Sequence, residues 1–348
     1  MVPMRLLYPE LYPLVKCGNR RAFIDFRTVI GYDMPYTGLR LRRPLNTARM
    51  GCGEAMTERN ELTFRQEKRY GKTMKNDVIA KLAEDYPQLY LDPDRDSQEE
   101  YRRIVLRGEE PGQKNLAQYQ GDPSDRLETA ETPAGPVRVA TLGNRQDFER
   151  VIRSLMAAKS GPLAKIPETQ GASMLTLFNW PRIHAHLAGF PEEEQAEEFN
   201  RFTAVKANYI DMLVVLSRGP YSHVDATAMG HTEEEWLALS DTIRRWHELT
   251  HVICRRLYPG DVDPVRDELI ADAVGLYAAY GSFDPEKEKL FLGIRGREYT
   301  GGRLGNYTDT PEQQAGTVCD TLEQMKKEIG AKTGADPFDL IPVLMGSA

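Results

Sequence analysis

Two kinds of hydrophobic spacing alternate along the chain, and together they predict a mixture of helices and strands. Apolar residues recur at helical spacing within residues 75–84 and again after Asn144, a residue type that can cap a helix. Runs rich in β-branched residues predict strands over VRVATLG, which begins at Val137, and over Tyr209–Ser217, where a Gly-Pro pair follows at once. The run MLTLFNW, which begins at Met174, fits either a strand or the start of a helix.

The same pattern divides the chain into three parts. Residues 1–107 mix short apolar runs with charged residues, and we assign no chemistry to them. Residues 108–136 are poor in apolar residues and rich in Pro, Gly and acidic residues, which is typical of a linker or mobile loop. Residues 137–348 hold most of the predicted elements. We therefore predict a helix-rich α+β protein with a small sheet in its main domain and an additional N-terminal region.

Composition agrees with a folded protein outside the membrane. The chain has 348 residues, of which 41% are hydrophobic and 28% are charged, and its mean hydropathy is -0.52. It contains no apolar run of about 18 residues, and its first residues lack the basic tip and unbroken apolar stretch of a secretion signal. We therefore expect a cytoplasmic protein that makes no membrane contact. The four cysteines lie far apart without a C-x-x-C pair, so no disulfide framework or cysteine zinc site is predicted.

The net charge of -7 is unevenly distributed. Residues 16–75 hold 14 Lys and Arg against 6 Asp and Glu, so this segment is basic while the rest is acidic. One interpretation is a segment that docks on the acidic remainder of its own chain, and the other is a surface that attracts an acidic peptide or another anion. We expect no nucleic-acid partner, because the segment has no zinc-finger or RNA-binding signature and the protein as a whole is acidic.

The segment from Gly230 to Gly281 is the most informative part of the sequence. Thr232 is followed by Glu235 three residues later, and this spacing predicts a capping box at the start of a helix. The helix should begin near Glu233 and end at the Tyr-Pro-Gly sequence that starts at Tyr258. The sequence H-E-L-T-H lies in the middle of this predicted helix.

His247 and His251 are four residues apart, so on a helix both imidazoles leave the same face about one turn apart. That spacing allows both rings to bind one metal ion. Glu248 points about 100° round the helix axis, from where its carboxylate can reach a water on the metal and act as a general base.

A third ligand is available in the sequence DELIAD, residues 267–272. It follows a loop of suitable length and resumes helical periodicity, so Glu268 can return antiparallel and face the two histidines. Asp272 lies one turn later and can accept the distal N–H of a ligating histidine. Asp267 is the nearest competitor as third ligand, but it should point about 100° away from Glu268, so only one of the two can face the histidines.

These residues resemble the zincin superfamily of metalloproteases, in the gluzincin branch, where H-E-x-x-H is followed by E-x-x-x-D. The resemblance covers about fifty residues and implies a zincin-like metallohydrolase core within residues 137–348. The remaining chain resembles bacterial H-E-x-x-H proteins of unassigned function. The resemblance implies that His247, His251 and Glu268 bind zinc. It also implies that Glu248 activates the attacking water and that the carboxylate of Asp272 supports a histidine.

The glycine-rich sequence YTGGRLGNY offers candidate helpers for catalysis. A hydrolase needs a donor for the oxyanion formed when water attacks, and Arg303 or Tyr307 could supply it. Arg303 could instead hold a substrate carboxylate through a bidentate pair. The alternative is a surface turn with a solvated arginine.

Two further features have a functional and a structural interpretation. The predicted strand Tyr209–Ser217 could be an edge strand that pairs with an extended substrate, or an internal core strand, which its apolarity favours. Cys254 shares a helix face with His247 and could approach the metal, but a small buried filler is the expected role.

Three functions remain open for these residues. The first is a zinc-dependent hydrolase of peptide or small amide substrates, possibly acidic ones. The second is an iron(II) oxygenase, because two histidines and one carboxylate also form the facial triad of those enzymes, with Arg303 binding a 2-oxo acid. The third is a binding protein with a structural metal, against which Glu248 argues, because a structural site needs no base.

Overall fold

The computed structural model describes residues 77–346 except for 95–97, 113, 115, 161–164, 169, 261–262 and 333. The described residues belong to one compact unit, Met74–Ala348. The basic segment 16–75 lies outside the described residues, so both interpretations of it stay predictions. Within the described part of the chain, the fold is the predicted α+β mixture of many helices and a small sheet.

The helices account for most of the described secondary structure. Helix α2 continues into a turn of π-helix over Arg102–Leu106, and short 3₁₀ turns link several of the other elements. In chain order the helices are α1 Asp77–Asp85, α2 Gln98–Tyr101, α3 Arg145–Ser160, α4 Trp180–Leu187, α5 Gln195–Thr203, α6 Glu233–Leu257, α7 Pro264–Tyr280, α8 Pro285–Leu292, α9 Pro311–Gly330 and α10 Ile341–Gly346.

The described strands form one four-stranded sheet and one small hairpin. The large sheet has the order β1-β2-β4-β3; β2 and β4 are parallel, and the two outer pairs are antiparallel. The strands are β1 Arg126–Ala130, β2 Val137–Leu142, β3 Ala172–Phe178, β4 Ile210–Ser217, β5 Ile294–Arg295 and β6 Glu298–Tyr299.

Strand β4 is buried on both faces, and this explains its continuous apolar sequence. Leu213 and Val215 pack with helices α1 and α3 on one face of the sheet. Val214 and Leu216 pack on the other face, where Leu249 of α6 covers them. The helix that bears the histidines is therefore seated directly on the sheet by its own apolar side chains.

Two sequence-based interpretations differ from this arrangement. Residues 108–136 do not form only a linker, because β1 lies within them and pairs with β2, with Ala130 opposite Val137. Strand β4 has hydrogen-bonded neighbours on both sides, so it is the internal core strand and not an edge strand open to substrate. The strand β1 is decided by its pairing with β2, which local composition does not encode. The internal position of β4 agrees with the interpretation that its apolar sequence favoured.

Helices α6 and α7 form an antiparallel hairpin that begins with the predicted capping box. The Thr232 hydroxyl accepts a hydrogen bond from the Glu235 amide at 3.3 Å, and the Glu235 carboxylate accepts one from the Thr232 amide at 3.0 Å. Asp263 caps α7 by accepting from the Arg266 amide, and Gly281 ends α7 in the left-handed conformation. None of the described helices is both long and apolar enough to cross a lipid bilayer.

Candidate metal centre

His247 and His251 of α6 meet Glu268 of α7 on the inner side of the helical hairpin. The two Nε2 atoms are 3.0 Å apart. The Glu268 carboxylate lies 3.4 Å from Nε2 of His247 and 3.5 Å from Nε2 of His251. Both histidines are buried, at 6% and 7% exposure. The three side chains that the sequence spacing predicted as ligands therefore converge on one point.

The separations among these three groups fit a shared ion. Each residue offers one ligand atom, and these atoms all lie within 4.8 Å of one another. Two ligands about 2.05 Å from one tetrahedral ion stand about 3.3 Å apart, which is close to the three contacts above. The donor set, two imidazole nitrogens and one carboxylate, is also one that Zn²⁺ accepts. This group could hold a metal ion.

Asp272 holds the far side of His247. Its carboxylate is fully buried, and Oδ1 accepts a hydrogen bond from Nδ1 of His247 at 2.7 Å. Oδ1 also accepts from the hydroxyl of Tyr221 at 2.6 Å, while Oδ2 accepts from Nη2 of Arg303. With Nδ1 of His247 committed to Asp272, Nε2 is the nitrogen of that ring available to bind a metal. The predicted support of a histidine by Asp272 is thus present in the structure.

Asp267 does not point away from the histidines as expected. Its Oδ2 lies 3.2 Å from Nδ1 of His251, a close ionic contact that falls short of a hydrogen bond in this arrangement. Glu268 meanwhile faces the Nε2 side of both rings. Consecutive residues of α7 can therefore both reach the histidine pair, because His251 lies between them and exposes a different ring edge to each.

The carboxylates dominate the electrostatics of the pair. Burial alone would lower the pKa of His247, but Asp272 and Glu268 outweigh burial and raise that pKa to about 10. The pKa of His251 is also raised, because Glu268 and Asp267 outweigh its burial. Burial would raise the pKa of Glu268, but the two histidines hold it below its ordinary value. The site is therefore strongly disposed to hold positive charge.

Glu248 is the residue next to His247 on α6, and its side chain is half-buried. It lies outside the three-residue ligand group, as its position on the helix predicted. The buried guanidinium of Arg244, one turn earlier on α6, lies within electrostatic range of the Glu248 carboxylate. Glu248 is thus a half-buried carboxylate, next in sequence to a candidate ligand, that the ligand set does not use.

Arg303 is held at the centre by a buried carboxylate. Its Nη2 donates to Asp272, and the guanidinium lies over the rings of Tyr221 and Tyr307 at 5.1 and 5.9 Å from their centroids. The backbone reaches this position through a close approach at Gly302, where a Cβ would stand 2.6 Å from the Gly293 backbone. The structure therefore assigns Arg303 to the support of Asp272, and a substrate carboxylate would have to compete for it.

Tyr307 also belongs to the centre. Burial raises the pKa of its phenol well above the ordinary value, and the nearby carboxylates of Asp272 and Glu268 add to the shift, although Arg303 opposes it. Tyr307 therefore stays a neutral hydrogen-bond donor at physiological pH.

A family model matches residues 53–332, which include every residue of this centre. The chain belongs to DUF7005, a family of unknown function. Comparison with curated proteins and with solved structures gives no match.

Sequence reasoning missed two residues of the centre in this DUF7005 chain. Tyr221 follows the Gly-Pro pair after β4, and nothing local marks its hydroxyl for Asp272 of a distant helix. Glu288 of α8 is fully buried, and neither of its carboxylate oxygens has a hydrogen-bond partner among the described residues. Burial raises the pKa of Glu288 well above its ordinary value, with Asp272 adding to the shift. Cys254 is buried as the expected filler.

Proposed function

We propose that this chain is a zinc-dependent hydrolase that cleaves peptides or small amide substrates. The observation that carries the proposal is the convergence of His247, His251 and Glu268 on one point. Glu248, which follows His247 on the same helix, is not used by that ligand set. A site that only stabilised the fold would need the ligands but no neighbouring base. The resemblance of the H-E-x-x-H and E-x-x-x-D residues to gluzincins supports the same conclusion.

His247, His251 and Glu268 would hold the ion, and Asp272 would keep the imidazole of His247 in the ligating tautomer. When bound, zinc lowers the pKa of a coordinated water and polarises the carbonyl to be attacked. Three protein ligands leave room for that water, as in catalytic zinc sites. Both histidine side chains are buried and are thus largely shielded from bulk solvent.

The remaining roles fall to groups that border the ligand set. Glu248 accepts the proton of the attacking water and returns it to the leaving amine. Tyr307, whose raised pKa keeps its phenol protonated, donates a hydrogen bond to the oxyanion. Arg303 orients Asp272 and contributes positive charge at the edge of the centre.

The test combines metal analysis with the variant Glu248→Gln. Protein purified without added metal is analysed for zinc and iron, and turnover is followed as free amine released from peptides and N-acylated amino acids. Glu248→Gln keeps the side-chain volume but removes the base, so we expect retained zinc, an unchanged melting temperature and a turnover loss of about 10²–10⁴-fold. Glu234→Gln, on the exposed first turn of the same helix, is the matched control and should behave as wild type.

The other outcomes identify the alternatives. Near-normal turnover by Glu248→Gln would show that the hydrolytic mechanism is wrong. Bound iron with oxygen uptake in the presence of a 2-oxo acid would indicate the facial-triad oxygenase. Tightly bound zinc in a wild-type protein that hydrolyses no member of the substrate set would favour a structural metal.

A further inference from the structure

The hydroxyl of Tyr221 contacts two side chains of the centre. Its hydroxyl donates to Oδ1 of Asp272 at 2.6 Å and lies 3.0 Å from Nδ1 of His247. The same Oδ1 atom is 2.7 Å from Nδ1 of His247. Tyrosine hydroxyl, carboxylate oxygen and imidazole nitrogen thus form a closed triangle of contacts behind the face of His247 that meets Glu268.

The protons in this triangle can be assigned by counting donors. The Tyr221 hydroxyl has one proton, and its short contact with Asp272 uses it. The hydroxyl oxygen can then only accept from His247, so Nδ1 of His247 must carry a proton shared between two acceptors. Nε2 of the neutral ring is left unprotonated, which is the form that binds a metal. Tyr221 therefore favours the ligating tautomer from a second direction.

The backbone around Tyr221 is held in a costly conformation. The Tyr221 amide donates to the buried hydroxyl of Ser240 on α6 at 2.9 Å. The next two residues, Ser222 and His223, have φ of 54° and 57°, although neither is glycine. His223 is tied by Nε2 to the carbonyl oxygen of Glu168 at 2.6 Å. Backbone strain of this kind persists where the surrounding structure imposes it, and it is concentrated at functional sites.

The aromatic ring of Tyr221 is packed against three other side chains. Phe291 meets it edge-on at 5.0 Å between centroids. The guanidinium carbons of Arg244 and Arg303 lie 5.7 and 5.1 Å from the ring centroid. The ring has little freedom to rotate away from Asp272, because aromatic and charged groups surround it.

We propose that Tyr221 is a positioning residue of the metal centre: through its hydroxyl it holds Asp272 and the tautomer of His247, and thereby sets the affinity for zinc. This inference rests on the proposed function for the presence of a metal. It adds a residue that lies outside the H-E-x-x-H and E-x-x-x-D sequences, on the turn between β4 and α6.

The test is the zinc affinity of Tyr221→Phe, measured by competition with a chromophoric chelator. Outer partners of metal ligands change affinity by about 10–100-fold, and we expect a loss of that size. The matched control is Tyr277→Phe, because Tyr277 is also buried and also bonds through its hydroxyl, but to Lys332 and Gly334 instead of the centre. Tyr277→Phe should bind zinc within about twofold of wild type.

A second readout separates positioning from a general loss of stability. The visible absorption of the Co²⁺-substituted protein reports ligand geometry, and it should shift in Tyr221→Phe but not in Tyr277→Phe. If Tyr221→Phe does not fold, Ser240→Ala provides the answer, because it removes the acceptor of the Tyr221 amide and thereby loosens the hold of the Tyr221 hydroxyl on Asp272. We expect Ser240→Ala to weaken zinc binding in the same direction, and wild-type affinity in that variant would overturn the proposal.

The failures of the two proposals are distinguishable. Equal zinc affinities and equal Co²⁺ spectra for Tyr221→Phe and wild type would reject the role of Tyr221 and leave the hydrolase untouched. A wild-type protein that binds no zinc would reject the proposed function and this inference together. Loss of turnover in Glu248→Gln with normal affinity in Tyr221→Phe would uphold the first proposal alone.

Discussion

Gly275 of α7 lies against the backbone of α6, and replacing it with alanine should disturb the hairpin that carries the ligands. A Cβ at this position would stand 2.7 Å from the carbonyl oxygen of Ile243 and 3.2 Å from its Cγ2. Ordinary contact begins at 3.4 Å, so the two helices would have to separate locally by about 0.7 Å. Backbone atoms cannot rotate out of the way, and therefore the helices themselves must move.

Two opposing terms set the size of the effect. Alanine is better than glycine in a helix interior by about 1 kcal/mol. Overpacking of a close contact costs about 1–3 kcal/mol. Gly275→Ala should therefore lower the free energy of unfolding by about 0–2 kcal/mol. Gly316→Ala in α9 is the matched control, because its Cβ would lie 3.5 Å from the flexible end of the Arg297 side chain. This variant should gain the higher helix propensity of alanine without the overpacking penalty.

The measurement is the free energy of unfolding of the metal-free variants in urea, followed by circular dichroism. We expect the free energy of unfolding of Gly316→Ala to exceed that of Gly275→Ala by about 1–3 kcal/mol. His247 lies about one turn from Ile243, and Glu268 lies two turns from Gly275, so the same displacement should weaken zinc binding. Equal stabilities of the two variants would refute the close approach of α6 and α7 described above.

Three further outcomes are expected. Removing metal with a chelator should lower the melting temperature of the wild type and added zinc should restore it, because an ion bound only by the folded state stabilises that state; His251→Ala should abolish the difference. Burial raises the folded pKa of Glu288, so the folded state binds more protons than the unfolded state, and stability should fall as pH rises above the unfolded pKa of about 4.3. Glu288→Gln should remove that dependence. Its free energy of unfolding in urea, relative to wild type, should therefore rise between pH 5 and pH 8 by at most about 1.4 kcal/mol per pH unit. Burial raises the pKa of Cys254 to about 12, so peptide mapping should find this thiol unmodified by iodoacetamide at pH 8 until the protein is unfolded.

The parts of the structure that the sequence predicted are those with local signals. The capping box of Thr232 and Glu235, the four-residue spacing of the histidines and the periodicity of DELIAD all act within one helix or one turn. They were sufficient to predict the helical hairpin, the convergence of His247, His251 and Glu268, and a bond from Asp272 to one of the two histidines, which the structure shows to be His247. Each of these predictions started from spacings within a single helix.

The parts that the sequence did not predict depend on contacts between distant segments. Strand β1 lies in a stretch with the composition of a linker and becomes a strand because β2 offers it a partner. Tyr221 joins the centre only because the turn after β4 ends beside α7. The contact of Asp267 with His251 depends on how α6 and α7 rotate against each other, and a helical wheel drawn for one helix does not contain that angle.

The origin of all three ligands in one helical hairpin has a consequence for the order of folding. Contacts within a hairpin are local and form early, whereas the parallel pair β2 and β4 must bring together strands separated by several other elements. In a chain that refolds from the unfolded state, His247, His251 and Glu268 can thus approach one another before the sheet closes. Tyr221 and Arg303 reach Asp272 from outside the hairpin, so their contacts depend on the rest of the fold. An ion held by the three hairpin groups would then be bound loosely at first and more tightly once those outer contacts have formed.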